Sequence, residues 1–174
     1  MKRILYVSFL ILLSLSSCKK DDKADLSGTA TIDNTTYQST TYYVFGFSFS
    51  LAKKVSTLDD PHPDIVLYVD IQPTRLTLQH DNLRPSFYKA GEYADEASAR
   101  TAFDNLKTVS VSQWIDMADP VLDNQIWVYR VGNDTYAKIR IVNTKSETRD
   151  DRPYGECTFQ WVYQPDGSLT FPGK

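Results

Sequence analysis

The chain has 174 residues, 41% hydrophobic and 13% aromatic, with 19 basic against 22 acidic side chains and a net charge of −3 at pH 7. A mildly acidic chain without a basic run carries no electrostatic footprint for nucleic acid. Its length fits one domain, and its two cysteines, Cys18 and Cys157, are too few for a disulfide-built scaffold.

The N-terminus starts with Lys2 and Arg3, continues as an apolar run from Ile4 to Leu15, and ends in Leu15-Ser16-Ser17-Cys18. A basic start, an apolar centre and small residues before a cut make a secretory signal peptide. A cysteine directly after the cut is the bacterial lipobox pattern, in which the thiol is acylated and becomes the first mature residue. The apolar run falls short of the about 20 residues that a membrane span needs, whereas two or more acyl chains hold a protein stably to a bilayer. Residues 1–17 are therefore expected to leave as a lipoprotein signal peptide. Removing them leaves 157 residues and, with Lys2 and Arg3 gone, a net charge of −5. Residues 18–27 hold the lipidated cysteine and the charged run Lys19 to Asp25, which cannot bury apolar area and reads as a solvated tether. Residues 28–174 read as a single β-rich domain.

Along that domain the hydrophobic pattern has mostly period two. Thr29 to Ile32 and Thr36 to Gln38 flank Asp33-Asn34, which suits a hairpin turn. Phe45, Phe47, Phe49 and Leu51 alternate with small polar residues, as a half-buried strand requires. Ile65, Leu67, Val69 and Ile71 repeat the alternation and stop at Pro73, and a second short strand follows from Arg75 to Gln79. From Asp95 to Lys107 the period changes. Ala99, Ala102, Phe103 and Leu106 fall on one helical face, with Asp95 and Glu96 suited to the N-terminal end of the helix dipole and Lys107 to the C-terminal end. Strands return at Ile126–Val131 and Tyr136–Val142 around the turn signal Gly132-Asn133-Asp134. A polar loop is expected over Thr144–Arg152, then a last pair, Cys157–Gln164 and Ser168–Phe171, joined across Pro165-Asp166-Gly167. These elements predict a mainly β domain, an antiparallel sandwich or barrel-like sheet with one inserted amphipathic helix.

Cys157 is the one cysteine left after Cys18. It lies in an apolar alternating segment and is expected to be a buried, inert thiol. Catalytic signals are weak. The carboxylates cluster in turn-like segments such as Asp59-Asp60, Asp95-Glu96 and Asp150-Asp151, and there is no nucleophile elbow, no H-E-x-x-H, no C-x-x-C and no phosphate loop. The domain is expected not to be an enzyme. Aromatic residues are more promising. Tyr42, Tyr43, Tyr68, Tyr88, Trp114, Tyr129 and Tyr163 are candidates for lining a site for a flat ligand or sugar ring, with Tyr68, Tyr88 and Trp114 the leading three. Trp127 and Trp161 are assigned to packing, and core packing is the commoner use of them all.

Thr29 to Asp33 with Tyr37 and Phe47-Ser48-Phe49-Ser50, then Asn124 to Arg130 with Ala137-Lys138-Ile139, and last Thr158 to Tyr163 follow one another in a recognisable order and spacing. Together they resemble the opening, the penultimate hairpin and the closing strand of the HmuY-like haem-binding lipoproteins of Bacteroidota. With the lipobox and the charged tether, the resemblance covers roughly a third to a half of the mature chain. It implies a lipid-anchored, surface-exposed outer-membrane protein that captures haem and hands it to an outer-membrane haem transporter. Family members ligate haem with a pair of histidines or methionines in the middle region. Here the middle is shorter, carries the helix, and lacks a histidine ahead of the Asn124 hairpin. His62 lies between Pro61 and Pro63 in an expected surface loop. That leaves His80, with Asp81 beside it to orient the ring, and Met117 as the haem-ligand candidates. The plainer reading makes His80 a surface loop residue and Met117 a gap-filling core residue. The runner-up function is a surface lipoprotein of the same fold that binds a glycan or a partner protein without haem.

Overall fold

Alternating apolar residues become ten strands in a computed structural model that describes residues 26–35, 44–71, 74–80 and 82–172. The strands are β1 (Ser27–Asp33), β2 (Phe45–Ser48), β3 (Lys53–Ser56), β4 (Ile65–Ile71), β5 (Thr74–His80), β6 (Phe87–Glu92), β7 (Met117–Ala118), β8 (Gln125–Val131), β9 (Thr135–Arg149) and β10 (Arg152–Gln164), with helix α1 (Glu96–Asn105) between β6 and β7. They form two antiparallel five-stranded sheets, ordered β1-β10-β9-β8-β6 and β3-β2-β4-β5-β7. The sheets stack as a sandwich, not a closed barrel. Strand β1 already begins at Ser27, inside the stretch assigned to the tether.

The core is the inner face of both sheets. From β4 and β5 it takes Ile65, Leu67, Val69, Leu76 and Leu78; from β8 to β10 it takes Trp127, Tyr129, Ile139, Ile141, Phe159 and Trp161. Phe47 meets Phe159 edge to face at 5.5 Å and Phe49 edge-on at 5.3 Å, an arrangement that favours aromatic pairs beyond their buried area. Phe49 lies past the end of β2 and is buried, while Leu51 sits exposed in the turn to β3, so the expected single strand ends early. Cys157 is fully buried, and burial drives its thiol pKa far upward. Trp127 and Trp161 are both core residues.

Helix α1 lies on the outer face of the first sheet, where Phe103 packs with Ile126 and Val162. Asp95 is its N-cap, the carboxylate accepting from the Ser98 backbone N–H at 2.8 Å. No basic residue occupies its last turn. The cation comes instead from β9: Lys138, 2% exposed, donates to the carbonyls of Phe103 at 2.7 Å and Leu106 at 3.1 Å.

Three connections depart from the sequence reading. Thr144–Arg152 is not a loop. β9 runs to Arg149 and β10 starts at Arg152, with Asp150 and Asp151 both at positive φ as a two-residue hairpin turn. This ribbon carries its charges on one face and Thr144, Ser146, Thr148, Pro153 and Gly155 on the other, so it lacks the apolar alternation that marks a half-buried strand. Arg149 lying over the Tyr154 ring and the Lys145–Glu147 ion pair help to hold it. Second, Ser168–Phe171 does not pair with β10. It meets the segment after the helix, through a bridge of Thr108 to Thr170 and a bond from Phe171 N to the Lys107 carbonyl. Third, β1 pairs with β10, and Asn34 is tied to Gly155 and Pro153 of that strand. The expected partner segment at Thr36–Gln38 lies outside the described residues.

One further segment joins the sheets. Ile115 exchanges both backbone hydrogen bonds with Phe87 of β6, while Met117–Ala118 pairs with β5 in the other sheet. Residues 115–118 therefore form a seam along one side of the sandwich.

Candidate functional site

His80 ends β5 and Met117 opens β7, on adjacent strands. Their register decides what they can do together. Met117 is paired with Gln79, and Ala118 with Leu78. Successive side chains on a strand point to opposite faces, so Met117 shares the outer face with Gln79 while His80 shares the inner face with Leu78. The His80 ring stacks on core residue Tyr129 at 6.2 Å and 25°, and its Nδ1 accepts from the Asn82 backbone N–H at 2.9 Å. The two candidate ligands sit on adjacent strands, yet the sheet itself stands between their side chains. This arrangement does not clamp one iron between them. Asp81, expected to orient the imidazole, lies outside the described residues, as do Cys18, Tyr42 and Tyr43. His62 is exposed. Among the described residues, no group of three His, Cys, Asp or Glu side chains is placed to hold a metal ion.

The aromatic candidates divide. Tyr68, 54% exposed, stands on the outer face of the second sheet opposite Thr77, near the Arg75–Asp119 ion pair at 3.0 Å. Tyr88 and Trp114 come together on the first sheet. The antiparallel bridge between Phe87 and Ile115 brings Tyr88 alongside Trp114, both on the face opposite buried Phe87. Two residues not singled out from the sequence complete the cluster. Arg130 of β8 lies directly opposite Tyr136 of β9. The Trp114 and Tyr136 rings are near-parallel, 6.0 Å apart at 15°, and the Arg130 guanidinium sits 5.2 Å from the Trp114 centroid. Arg130 is held there by donating from Nη2 to the Pro85 carbonyl at 2.8 Å. All four residues are half-exposed. The signal for Arg130 and Tyr136 was present in the sequence, since the Gly132-Asn133-Asp134 turn fixes them as an outward-facing pair.

A second polar cluster closes one end of the core. Asp64 accepts from the Phe49 backbone N–H at 2.7 Å, and its own carbonyl accepts the Tyr129 hydroxyl. Burial pushes its carboxyl up to about 6, against the opposing pull of the Phe49 N–H, Ser48 and the positive charge of Arg84. These bonds tie the β2–β3 turn to the first sheet, so Asp64 is engaged in the fold rather than presented to a substrate. A shallow groove of about 460 Å³ beside α1, lined by Tyr93, Ala97, Ser98, Thr101 and Ala102, is open to solvent and carries no charged group.

No model of a known protein family matches the chain, and no curated protein matches it.

Proposed function

We propose that this chain is a non-catalytic capture lipoprotein, exported and held to the outer leaflet of an outer membrane by acylated Cys18, whose sandwich binds a glycan on the Tyr88–Trp114–Arg130–Tyr136 face. The observation that carries this reading is the near-parallel Trp114–Tyr136 pair with Arg130 fixed against it on a half-exposed sheet face. A sugar ring offers apolar C–H faces and a rim of hydroxyls. Aromatic rings accommodate the first, while tyrosine hydroxyls and a guanidinium bond the second. The opposite-facing His80 and Met117 weigh against paired axial ligation of haem, the cargo that the family resemblance implies.

A glycan array probed with the labelled mature chain tests the proposal. Binding to a subset of glycans that is lost in Trp114→Ala and in Arg130→Ala is the expected outcome. An array without binding, or binding that both variants retain, overturns it. Haemin titration of the same samples separates the haem reading: a sharpened, red-shifted Soret band that persists in Trp114→Ala would favour haem bound elsewhere on the same fold.

A further inference from the structure

An exposed strand edge is a template for another chain, and proteins blunt such edges with lysine, proline, bulges or extreme shortness. Four strands end the two sheets here. β3 carries Lys53 and Lys54. β6 carries Lys89, has a bulge between Lys89 and Gly91, and is bridged to Ile115. β7 is two residues long. The fourth edge is β1, Ser-Gly-Thr-Ala-Thr-Ile-Asp, with seven residues and none of these devices. Among the described residues no strand lies on its outer side.

Hydrogen bonds to β10 establish which backbone groups of β1 point outward. Tyr163 N donates to the Leu26 carbonyl at 2.7 Å, and Asn34 N to the Gly155 carbonyl at 3.3 Å. The even-numbered residues between them therefore bond to β10, while Ser27, Thr29, Thr31 and Asp33 aim their N–H and C=O groups away from it. The hydroxyls of Thr31 and Thr158, 2.8 Å apart, agree with this, because non-hydrogen-bonded pairs bring their side chains closest.

We propose that β1 is a self-association edge, pairing antiparallel with β1 of a second copy about a two-fold axis at Ala30. In that register Thr29 lies opposite the partner's Thr31, and Ser27 opposite the partner's Asp33. Outward-pointing backbone groups then face one another along the whole strand. A register centred between two residues would set outward groups against inward ones, and one centred further along would leave part of the edge unpaired. The side chains are also self-complementary. Threonine meets threonine across the new pair, a favourable combination, and the one charged residue, Asp33, meets serine instead of its own copy. The result joins the two β1-β10-β9-β8-β6 sheets into one continuous sheet across an isologous interface.

Sedimentation velocity of the full chain in detergent, over a dilution series, tests this. Wild type is expected to sediment as two copies at the concentrated end and to dissociate on dilution. Thr31→Pro removes an outward N–H without touching a backbone bond to β10, and the double variant Thr29→Lys, Thr31→Lys sets like charges opposite each other; both give up the exposed Thr31–Thr158 hydroxyl contact. Both are expected to sediment as single copies, with tryptophan fluorescence and urea midpoint close to wild type. If Thr31→Pro fails to fold, the double lysine variant carries the test. A wild type that stays single throughout, or a two-copy species that survives in the folded variants, overturns the proposal.

Discussion

The ammonium of Lys138 closes the C-terminal end of α1 from a different element, donating to the carbonyl oxygens of Phe103 and Leu106 while lying 4.6 Å from the Phe103 ring centroid. A helix end leaves carbonyls without intrahelical partners, and a cation there also complements the helix dipole. Because Lys138 is almost fully buried, it joins helix to sheet where no water can substitute.

Lys138→Met keeps the length and apolar stem but takes the donor from the Leu106 carbonyl and leaves the Phe103 carbonyl with the Leu106 N–H at 3.3 Å. Leaving a buried acceptor unsatisfied costs about 1–3 kcal/mol, and removing the buried charge offsets part of that. The variant is expected to lose about 2 kcal/mol in urea unfolding, with the earliest change in signals from α1. A more stable variant would mean that the cost of desolvating the ammonium exceeds the worth of its bonds.

Asp64 makes stability depend on pH. Its carboxyl stands at about 6 in the fold against an ordinary 3.8. The folded state therefore holds the proton more tightly, and stability falls as pH rises through that window, to be lost in full above about 6. A difference of about 2 pKa units corresponds to about 3 kcal/mol. Asp64→Asn retains an oxygen for the Phe49 N–H and carries no charge. It is expected to match wild type near pH 4, to exceed it by up to about 3 kcal/mol near neutrality, and to flatten the slope between. Parallel urea-midpoint profiles for the two proteins would show that Asp64 is not the titrating group.

Two glycines separate backbone crowding from side-chain crowding. A Cβ on Gly46 would lie 2.3 Å from the Ile65 carbonyl oxygen and 2.5 Å from Pro63, neither of which can swing away. A Cβ on Gly155 would meet the tips of Leu76 and Val69 at 2.3 and 2.6 Å, and these can rotate. Overpacking costs about 1–3 kcal/mol. Gly46→Ala should fall at or beyond the upper end and Gly155→Ala at the lower, measured by chemical denaturation. The reverse order would contradict the packing described.

The Cys157 thiol should be silent toward alkylation in the native protein. Burial raises its pKa and removes access, so thiolate is scarce and unreachable. Mass spectrometry of the peptide carrying Cys157 after iodoacetamide treatment is expected to show modification only at the rate of unfolding. Rapid labelling under native conditions would place the sulfur at the surface.

Elements with one wet face and one dry face were legible in the sequence. Alternation marked β4, the Gly132-Asn133-Asp134 turn signal marked β8 and the start of β9, and the helical spacing of Ala99 and Phe103 placed α1 correctly on its buried side. What escaped were elements whose pattern is set by partners distant in sequence. The β9–β10 ribbon is polar on both faces. β6 is short and bulged, so Phe87 to Glu92 shows no clean period. The site followed the same rule. Trp114 and Tyr88 were named individually, but their meeting depends on the Phe87–Ile115 bridge, and the separation of His80 from Met117 depends on a one-residue offset between β5 and β7. No local pattern encodes either.

The seam at Ile115–Ala118 makes the sandwich mechanically lopsided, like a book with a spine. On that side one short segment bonds to both sheets, Ile115 to β6 and Met117–Ala118 to β5. On the far side, the Lys54–Asp33 ion pair at 3.2 Å clasps β3 to β1, and it is exposed enough to be worth about 0–1 kcal/mol. Breathing of the two sheets should therefore pivot at the spine and gape at β1 and β3, with amides of β3 exchanging before those of β5. A ligand resting on Trp114 would press on the spine, while the fore-edge is the one that a second copy at β1 would brace.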